Sequence, residues 1–320
     1  MHAKRITALA LALVMTLLLA ACGSKTVVND DGTKTEQTER GVKVTQTAAK
    51  AVQTEKYETA DFSMTIPKGW TVTTGGTNIY HSIRVYDPAE PLNQMFVLLK
   101  ADVLLHSQAG KEAWQQNYSM GNTQAALFTK AAVLDNPSTE GFFKIFSQYT
   151  AFASEVEPAY SGYAFPRFDN FTVSDRYPSA SPLKSSALGD EQLRATFTDN
   201  GKEGEGLFAA SVVDFGSFAI SNGNVVGYQL QAVDGGYYMA YNIVAVTAAK
   251  DTFIEWEAVL TDCFKTLQYS DSFVSATNQA SNEKVALAQQ ISQNFNATMD
   301  GFMSSWESRN RSQDIMSQKQ

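Results

Sequence analysis

Period-two alternation of apolar and polar side chains dominates this chain of 320 residues after about residue 57. Residues 62–66 (FSMTI) and 82–86 (SIRVY) alternate in this way, which predicts strands with one buried face. Residues 95–99 (MFVLL) are apolar throughout, and such a run is typical of a strand covered on both faces. The folded region is therefore predicted to begin with a set of strands.

A meander of strands is predicted after residue 192. Strands at 193–198 and 207–213 flank a turn rich in Gly, and strands at 225–233 and 237–246 flank Asp234-Gly235-Gly236. An Asp-Gly turn between two apolar runs is a strong signal for a β-hairpin. We therefore expect each of these two pairs to form a hairpin.

Helical periodicity occurs before and after this predicted meander in the sequence. Residues 109–118, 123–134 and a run after Phe142 repeat apolar side chains every three or four positions, and residues 250–269 do the same. The predicted fold class is α+β, an antiparallel β-sheet with helices packed on it. Residues from about 106 to 190 form a helical, aromatic-rich insertion in this prediction.

The last part of the chain, residues 271–320, is predicted to contain a long amphipathic helix followed by a polar tail. One apolar stripe of this helix has members spaced by three or four residues, namely Leu287, Ile291, Phe295, Met299, Phe302 and Trp306. A stripe with Phe and Trp needs a partner surface. Docking on the chain's own domain and contact with another chain both remain open.

The first 21 residues have the layout of a secretory signal. Lys4 and Arg5 precede an apolar run that closes on Leu19-Ala20-Ala21, and Cys22 follows directly. The run is short for a membrane-spanning helix, which needs about 20 residues. An ordinary secreted protein with an incidental cysteine is the remaining alternative.

Cys22 after these small residues resembles the lipobox of bacterial lipoproteins. The resemblance implies that the Cys22 thiol is joined to diacylglycerol, whose acyl chains (palmitate, for example) anchor the protein. Two acyl chains suffice for stable anchoring, because each buried CH2 contributes roughly 0.8 kcal/mol. The implied location is the cell membrane, on its extracytoplasmic face.

The composition restricts the partners of the mature chain. Its formal charge is −8 with the signal and −10 without residues 1–21, because the signal carries Lys4, Arg5 and no acid. This acidic balance argues against binding nucleic acid and against an electrostatic attraction to anionic lipid. Residues 22–57 are polar and predict a tether, in which only residues 42–45 have a strand-like pattern.

Two stretches resemble the PsbP-like α/β/α sandwich that occurs in photosystem lumenal proteins and in many bacterial lipoproteins. They are FSMTIPKGW at 62–70 and the two strands and helix of 224–269, which end in CFKTLQY. The resemblance implies a PsbP-like domain over 58–270, with an antiparallel sheet between helices. It also implies a binding or assembly factor rather than an enzyme.

Catalytic and metal-binding patterns are weak in this sequence. After the signal it contains only His81 and His106, which lack the spacing of a metal site, and no cysteine pair, so no metal or cofactor is expected. We interpret both histidines as ordinary surface or core residues. Cys263 lies on the apolar stripe of the helix at 250–269 and is interpreted as a small buried group.

Aromatic residues are concentrated between Phe142 and Phe171, where ten occur. The first half follows a helical period and is expected in the core. The second half lies in a segment whose Pro and Gly residues indicate a loop that continues to about residue 182, so its rings are candidates for contact with a ligand or partner. These candidates are Tyr160, Tyr163, Phe165, Phe168 and Phe171. Burial within the insertion is the alternative interpretation.

The sequence therefore predicts a lipid-anchored extracytoplasmic protein with a non-catalytic binding or assembly role at the cell envelope. A protein or an envelope polymer is the expected partner. The alternative is an extracytoplasmic hydrolase of cell-wall or carbohydrate substrates. Acidic residues grouped with Tyr160, Tyr163 and Phe168 in one cleft would favour the hydrolase, and a closed surface there would favour the binding protein.

Overall fold

The computed structural model of the protein describes residues 26–28, 33–38, 41–46, 49–178, 182–226 and 229–280. The chain divides into two compact units, residues 1–48 and 49–320. The first unit contains an antiparallel sheet of three strands, β1 (Thr26–Val28), β2 (Thr33–Thr38) and β3 (Gly41–Gln46). The region predicted as a tether therefore contains strands, and β3 includes the strand-like residues 42–45.

The second unit contains the larger sheet and the helices. Its strands are β4 (Thr54–Glu58), β5 (Phe62–Pro67), β6 (Thr71–Gly75), β7 (Ser82–Tyr86), β8 (Gln94–Leu105), β9 (Ala132–Val133), β10 (Asp169–Pro178), β11 (Ala187–Gly189), β12 (Glu191–Asp199), β13 (Lys202–Gly216), β14 (Ala219–Val226), β15 (Gln229–Asp234), β16 (Tyr237–Ala249) and β17 (Gln268–Tyr269). Its helices are α1 (Gln108–Ser119), α2 (Ala126–Lys130), α3 (Thr139–Lys144), α4 (Phe146–Val156), α5 (Phe253–Phe264) and α6 (Asp271–Ala280).

The main sheet has the strand order β10-β12-β13-β16-β8-β7-β6, with β11 beside β13 and β9 beside β8. Neighbours along this path are antiparallel, and the short β9 is parallel to β8. Two smaller sheets have the orders β17-β5-β4 and β14-β15. The α+β fold class, with an antiparallel sheet and packed helices, is confirmed. The predicted C-terminal helix beyond residue 280 lies outside the described residues.

Strand β8 shows why residues 95–99 are apolar without interruption. Phe96 and Leu98 pack in one hydrophobic cluster with side chains of α3 and α4, and Val97 and Leu99 pack in a second cluster with α5 and β5. All twelve residues of β8 are buried. Successive side chains of a strand point to opposite faces, so a strand covered by two layers has no position for an exposed polar residue.

The region from 106 to 190 differs from the predicted insertion. It contains four helices, but its aromatic rings pack on the main sheet, as in the contact of Phe143 with Phe208 of β13 at 4.9 Å. It also contains β10, an edge strand in a segment that we interpreted as a loop. Edge strands tolerate polar residues and proline, and β10 ends at Pro178. Its sequence pattern is therefore weak.

One predicted hairpin is confirmed and the other is wrong. Strands β12 and β13 pair through Asp199 and Lys202 around Asn200-Gly201, whose positive φ angles of 49° and 82° suit a tight hairpin turn. Strand β15 instead pairs with β14, and β16 pairs with β13 and β8. The Asp234-Gly235-Gly236 turn therefore connects two sheets, because the long apolar β16 is buried at the centre of the main one.

Candidate functional site

The five aromatic residues predicted to contact a ligand lie in the interior or at its margin. The exposed fractions of Tyr160, Phe168 and Phe171 are only 3%, 1% and 5%. Tyr163 and Phe165 are partly buried against the same hydrophobic cluster. The structure therefore places these rings as core residues, which was the alternative interpretation, and the main sheet supplies much of that core.

Polar groups hold this segment in place. The Tyr160 hydroxyl donates a hydrogen bond to the backbone oxygen of Tyr80, and the Tyr163 hydroxyl is 2.9 Å from Ser82 Oγ. Burial raises the pKa of Tyr163 far above its usual value, although its hydrogen bond with Ser82 and the charge of Arg84 lower it. Ring packing and these hydrogen bonds thus hold the segment against β7 and the residues before it.

Exposed aromatic rings occur elsewhere, in the turn after β13. In the described part of the chain five large apolar side chains are exposed, namely Tyr118, Met120, Leu188, Phe215 and Phe218. Phe215 is 56% exposed and Phe218 is 37% exposed, and only two residues separate them. Exposed apolar groups that adjoin one another mark interaction sites more often than single ones do, so this turn is the candidate functional site.

A continuous set of ring contacts links these two residues to neighbouring elements. The set is named here the aromatic patch, and its members are Trp114, Phe128, Phe215, Phe218 and Tyr237. Phe215 stacks on Tyr237 with ring centres 4.5 Å apart and an angle of 10°, and Phe128 stacks on Trp114 at 4.2 Å and 13°. Contacts of 6.0 Å join Tyr237 to Phe128 and Trp114 to Phe218.

Helix α1 brings Trp114 to the patch. Ser107 caps the first turn, because its Oγ accepts a hydrogen bond from the Gly110 amide at 3.1 Å. The Trp114 indole nitrogen then donates to the backbone oxygen of Gly235 at 3.0 Å. The Asn117 amide donates to the backbone oxygen of Ser221 in β14 at 2.8 Å. These bonds fix α1 against the turn after β15.

A histidine between two carboxylates lies next to the patch. His106 Nδ1 is 2.7 Å from Asp234 Oδ2, and His106 Nε2 is 3.1 Å from Asp214 Oδ1. The three residues are named here the histidine cluster. They meet because β8, β13 and β15 end at the same place, where Tyr237 pairs with both Leu105 and Gly216.

The histidine cluster also holds the backbone of the exposed turn. Asp214 Oδ1 accepts from the Gly216 amide at 2.8 Å. Asp234 accepts from the Phe218 amide at 3.3 Å and from the Ser217 hydroxyl at 3.1 Å. The turn that carries Phe215 and Phe218 is thus tied to the main sheet through Asp214 and to β15 through Asp234.

The pKa values near the cluster reflect these bonds. Burial raises the pKa of Asp234, but hydrogen bonds from His106, the Gly236 amide and Ser217 outweigh burial and bring it below its usual value. Burial and the charges of Asp214 and Asp234 raise the pKa of Tyr238, whose ring centre lies 4.0 Å from that of His106. Asp234 is therefore stabilised as a carboxylate.

Nucleophilic and metal-ligating groups of the described residues have the following surroundings. Ser217 directs its hydroxyl to Asp234 and not to His106, so the cluster lacks the bond by which a histidine activates a serine. Among the described residues no group of three His, Cys, Asp or Glu side chains is placed to hold a metal ion. Burial and the nearby Asp262 raise the pKa of Cys263 to about 11, which keeps this thiol protonated near neutral pH.

The other residues singled out in the sequence lie in different places. His81 is a core histidine with 5% exposure, as one of our two interpretations expected, and Cys263 is buried as predicted. Cys22 lies outside the described residues. His106 is part of a cluster that sequence analysis missed, because Asp214 and Asp234 are 108 and 128 positions away from it.

No protein-family model and no curated protein matches this chain. In the ranges that the structure describes, every helix is too short or too polar to cross a membrane.

Proposed function

We propose that this protein is a membrane-anchored extracytoplasmic lipoprotein with a non-catalytic binding or assembly role at the cell envelope. Its anchor is a lipid on Cys22, supported by the signal-like residues 1–21 and the small residues before the cysteine. Its binding surface is the aromatic patch. A PsbP-like domain is part of this proposal, supported by the resemblance at 62–70 and 224–269.

The observation that carries the binding role is the pair of exposed rings Phe215 and Phe218 on a turn held by the histidine cluster. Exposing an apolar ring to water gives up the free energy that burial would provide, roughly 25 cal/mol per Å². The hydrogen bonds of Asp214 and Asp234 keep these rings at the surface. Rigid aromatic residues are preferred contact points for partners, since little conformational entropy is lost on binding.

A non-catalytic role is supported by the surroundings of the predicted aromatic residues. A hydrolase cleft with acids beside Tyr160, Tyr163 and Phe168 would need those rings to be accessible. Tyr160 and Phe168 are 3% and 1% exposed. The binding role is therefore preferred to hydrolysis of a polymer at this place.

The anchor is tested by feeding bacteria that express the full chain an alkyne-labelled fatty acid. Wild-type protein is expected to incorporate the label and to stay with the membrane fraction. Cys22→Ala is expected to lose the label, whereas Cys263→Ala, which removes the buried thiol, is expected to keep it. Equal labelling of Cys22→Ala and wild type would contradict the lipid anchor.

The binding surface is tested by photo-crosslinking in the same cells. A photoreactive phenylalanine analogue replaces Phe215 or, as a control of equal exposure, Leu188, since both are 56% exposed. We expect crosslinked products at position 215 and none at 188. Equal products at both positions, or none at either, would contradict a specific role of the aromatic patch.

A further inference from the structure

We propose that the aromatic patch binds a basic segment of a partner protein, whose Arg or Lys side chains contact Asp214 and the exposed face of Phe215. This inference rests on the proposed binding role and adds the chemistry of the partner. It follows from three observations. They are the negative charge around the patch, the exposed carboxylate of Asp214 and the exposed ring face of Phe215.

The charge around the patch is negative. The segments that form it, residues 106–118, 126–130 and 214–238, contain Lys111, Glu112, Lys130, Asp214 and Asp234 as charged residues besides His106. Lys130 is paired with Glu155 at 2.6 Å. Lys111 and Glu112 cancel each other. Two aspartates remain against one imidazole, so the net charge is negative whether His106 is neutral or protonated. Complementary charge favours a cationic partner and raises its association rate.

Asp214 has capacity for a further bond. Its side chain is 45% exposed. The bonds from His106 and from the Gly216 amide both reach Oδ1. The other oxygen, Oδ2, takes part in neither of them, and hydrogen bonds from a cationic donor to a carboxylate are roughly twice as strong as neutral ones.

Phe215 offers a ring face next to this carboxylate. One face of the ring is stacked on Tyr237 at 4.5 Å, and the residue is nevertheless 56% exposed. A guanidinium or ammonium group over an aromatic face is attracted by the ring quadrupole. Phe215 directly follows Asp214 at the end of β13, where the pairing with β16 is irregular between Asp214 and Gly216, and neighbouring cationic side chains of one bound segment can contact the two groups.

Other classes of partner fit these features less well. The carboxylates of Asp214 and Asp234 would be repelled by anionic lipid headgroups and by phosphate. A glycan would use the rings but would gain nothing from a net charge. A basic protein segment is the one class that uses the apolar rings and the negative charge together.

The experiment measures binding of the purified, lipidated full chain in detergent to fluorescent synthetic peptides by anisotropy. The probe is the repeat Gly-Arg-Ala taken four times, and the comparison peptides carry Glu or Gln in place of Arg. Asp214→Asn and Phe215→Ala test the two contacts. Asp262→Asn and Leu188→Ala are matched controls, since the Asp262 side chain is 71% exposed and Leu188 is as exposed as Phe215.

We expect the Arg peptide to bind at low salt more tightly than the Glu and Gln peptides, and to weaken as salt screens the carboxylates. Asp214→Asn and Phe215→Ala should each weaken it by about fivefold, which corresponds to one exposed charge or cation–π contact. The two control variants should change it less than about twofold. Thermal unfolding of each variant checks that it is folded.

Equal binding of the Arg and Glu peptides, or an Arg peptide unaffected by both patch variants, would overturn the basic partner. Tighter binding to a chitin oligosaccharide than to the Arg peptide would do the same. If position 215 still forms crosslinks in cells but the Arg peptide does not bind, only the proposed chemistry of the partner is wrong. If no crosslinks form either, the proposed binding role itself is wrong.

Discussion

Two groups of aromatic side chains in this protein have opposite surroundings. The ten between Phe142 and Phe171 are close in sequence and lie in the core or at its margin, where Phe143, Phe168 and Phe171 contact Phe208 of β13 edge to face. The five of the aromatic patch are spread from residue 114 to residue 237 and include the exposed Phe215 and Phe218. A high local density of aromatic residues therefore indicated the core, and the exposed rings came from dispersed positions.

The difference has a physical cause in what holds each group. Rings of the buried group are held by one another, because every edge-to-face contact adds to the free energy already gained by burial. The exposed rings are held by polar bonds of the turn between them, above all those of Asp234. Removal of a buried ring should therefore affect stability, and removal of an exposed ring should affect binding.

The largest expected effect is that of Phe143→Ala. Phe143 is completely buried and its ring contacts those of Phe168, Phe171 and Phe208. The substitution should lower the free energy of unfolding by about 3–5 kcal/mol, as for other buried phenylalanines. Chemical denaturation of the full chain measures it.

The matched variant is Phe215→Ala, which removes the same side chain from the exposed patch. It should lower the free energy of unfolding by no more than about 0.5 kcal/mol, as is usual for surface substitutions. Similar losses of unfolding free energy in Phe143→Ala and Phe215→Ala would show that Phe215 is part of the stabilising core. They would contradict the difference between the buried and the exposed aromatic groups.

The next effect concerns the histidine of the core. Burial lowers the pKa of His81 to about 4, although the charge of Asp61 raises it. The unfolded chain therefore binds the proton more tightly between pH 6.5 and about 4. With respect to His81, the free energy of unfolding should have its highest value above pH 6.5. It should fall by about 3 kcal/mol as the pH drops from 6.5 to about 4.

The comparison variant is His81→Phe, which keeps an aromatic ring beside Tyr269 and Phe273. The difference between wild type and this variant, measured by denaturation at several pH values, isolates the contribution of His81. Parallel curves for the two proteins between pH 6.5 and 4 would contradict a neutral, buried His81.

A smaller loss of stability than that of Phe143→Ala is expected from a substitution that loosens the turn of the aromatic patch. Asp234→Asn exchanges an acceptor oxygen for a donor and breaks bonds to His106 and Ser217, so the free energy of unfolding should fall by about 1 kcal/mol. The amides of Phe218 and Gly236, which donate hydrogen bonds to Asp234, should exchange hydrogen faster. Wild-type exchange rates in this variant would show that Asp234 does not hold the turn.

The effect of Asp234→Asn should also depend on pH. The pKa of Asp234 lies below its usual value in the folded protein. Its stabilising contribution is therefore present above the unfolded value, near 4, and is lost as the pH falls through the folded value. The difference between the variant and wild type should shrink in acid.

The sequence was sufficient where one local pattern was decisive. The apolar run at 95–99 predicted a strand covered on both faces, and β8 is buried throughout. The turn around Asn200-Gly201 predicted the hairpin of β12 and β13. Helix α5 lies within the predicted helix at 250–269 and packs on the sheet.

The sequence was insufficient where the place of a strand in the fold depends on which other strands it pairs with. Asp234-Gly235-Gly236 has the composition of a hairpin turn, yet β16 pairs with β8 and β13 because its apolar residues are buried only there. Strand β10 has a polar sequence because its outer edge is open to solvent, and so it resembled a loop.

By itself the sequence determined the α+β class, the buried central strands and the core nature of Cys263, since each depends on the spacing of apolar residues along the chain. Only the tertiary structure decided which aromatic rings face solvent and brought His106 between Asp214 and Asp234. Those contacts join residues more than 100 positions apart, and they form because three strands end at one place in the sheet. No local pattern of residues records where distant strands end.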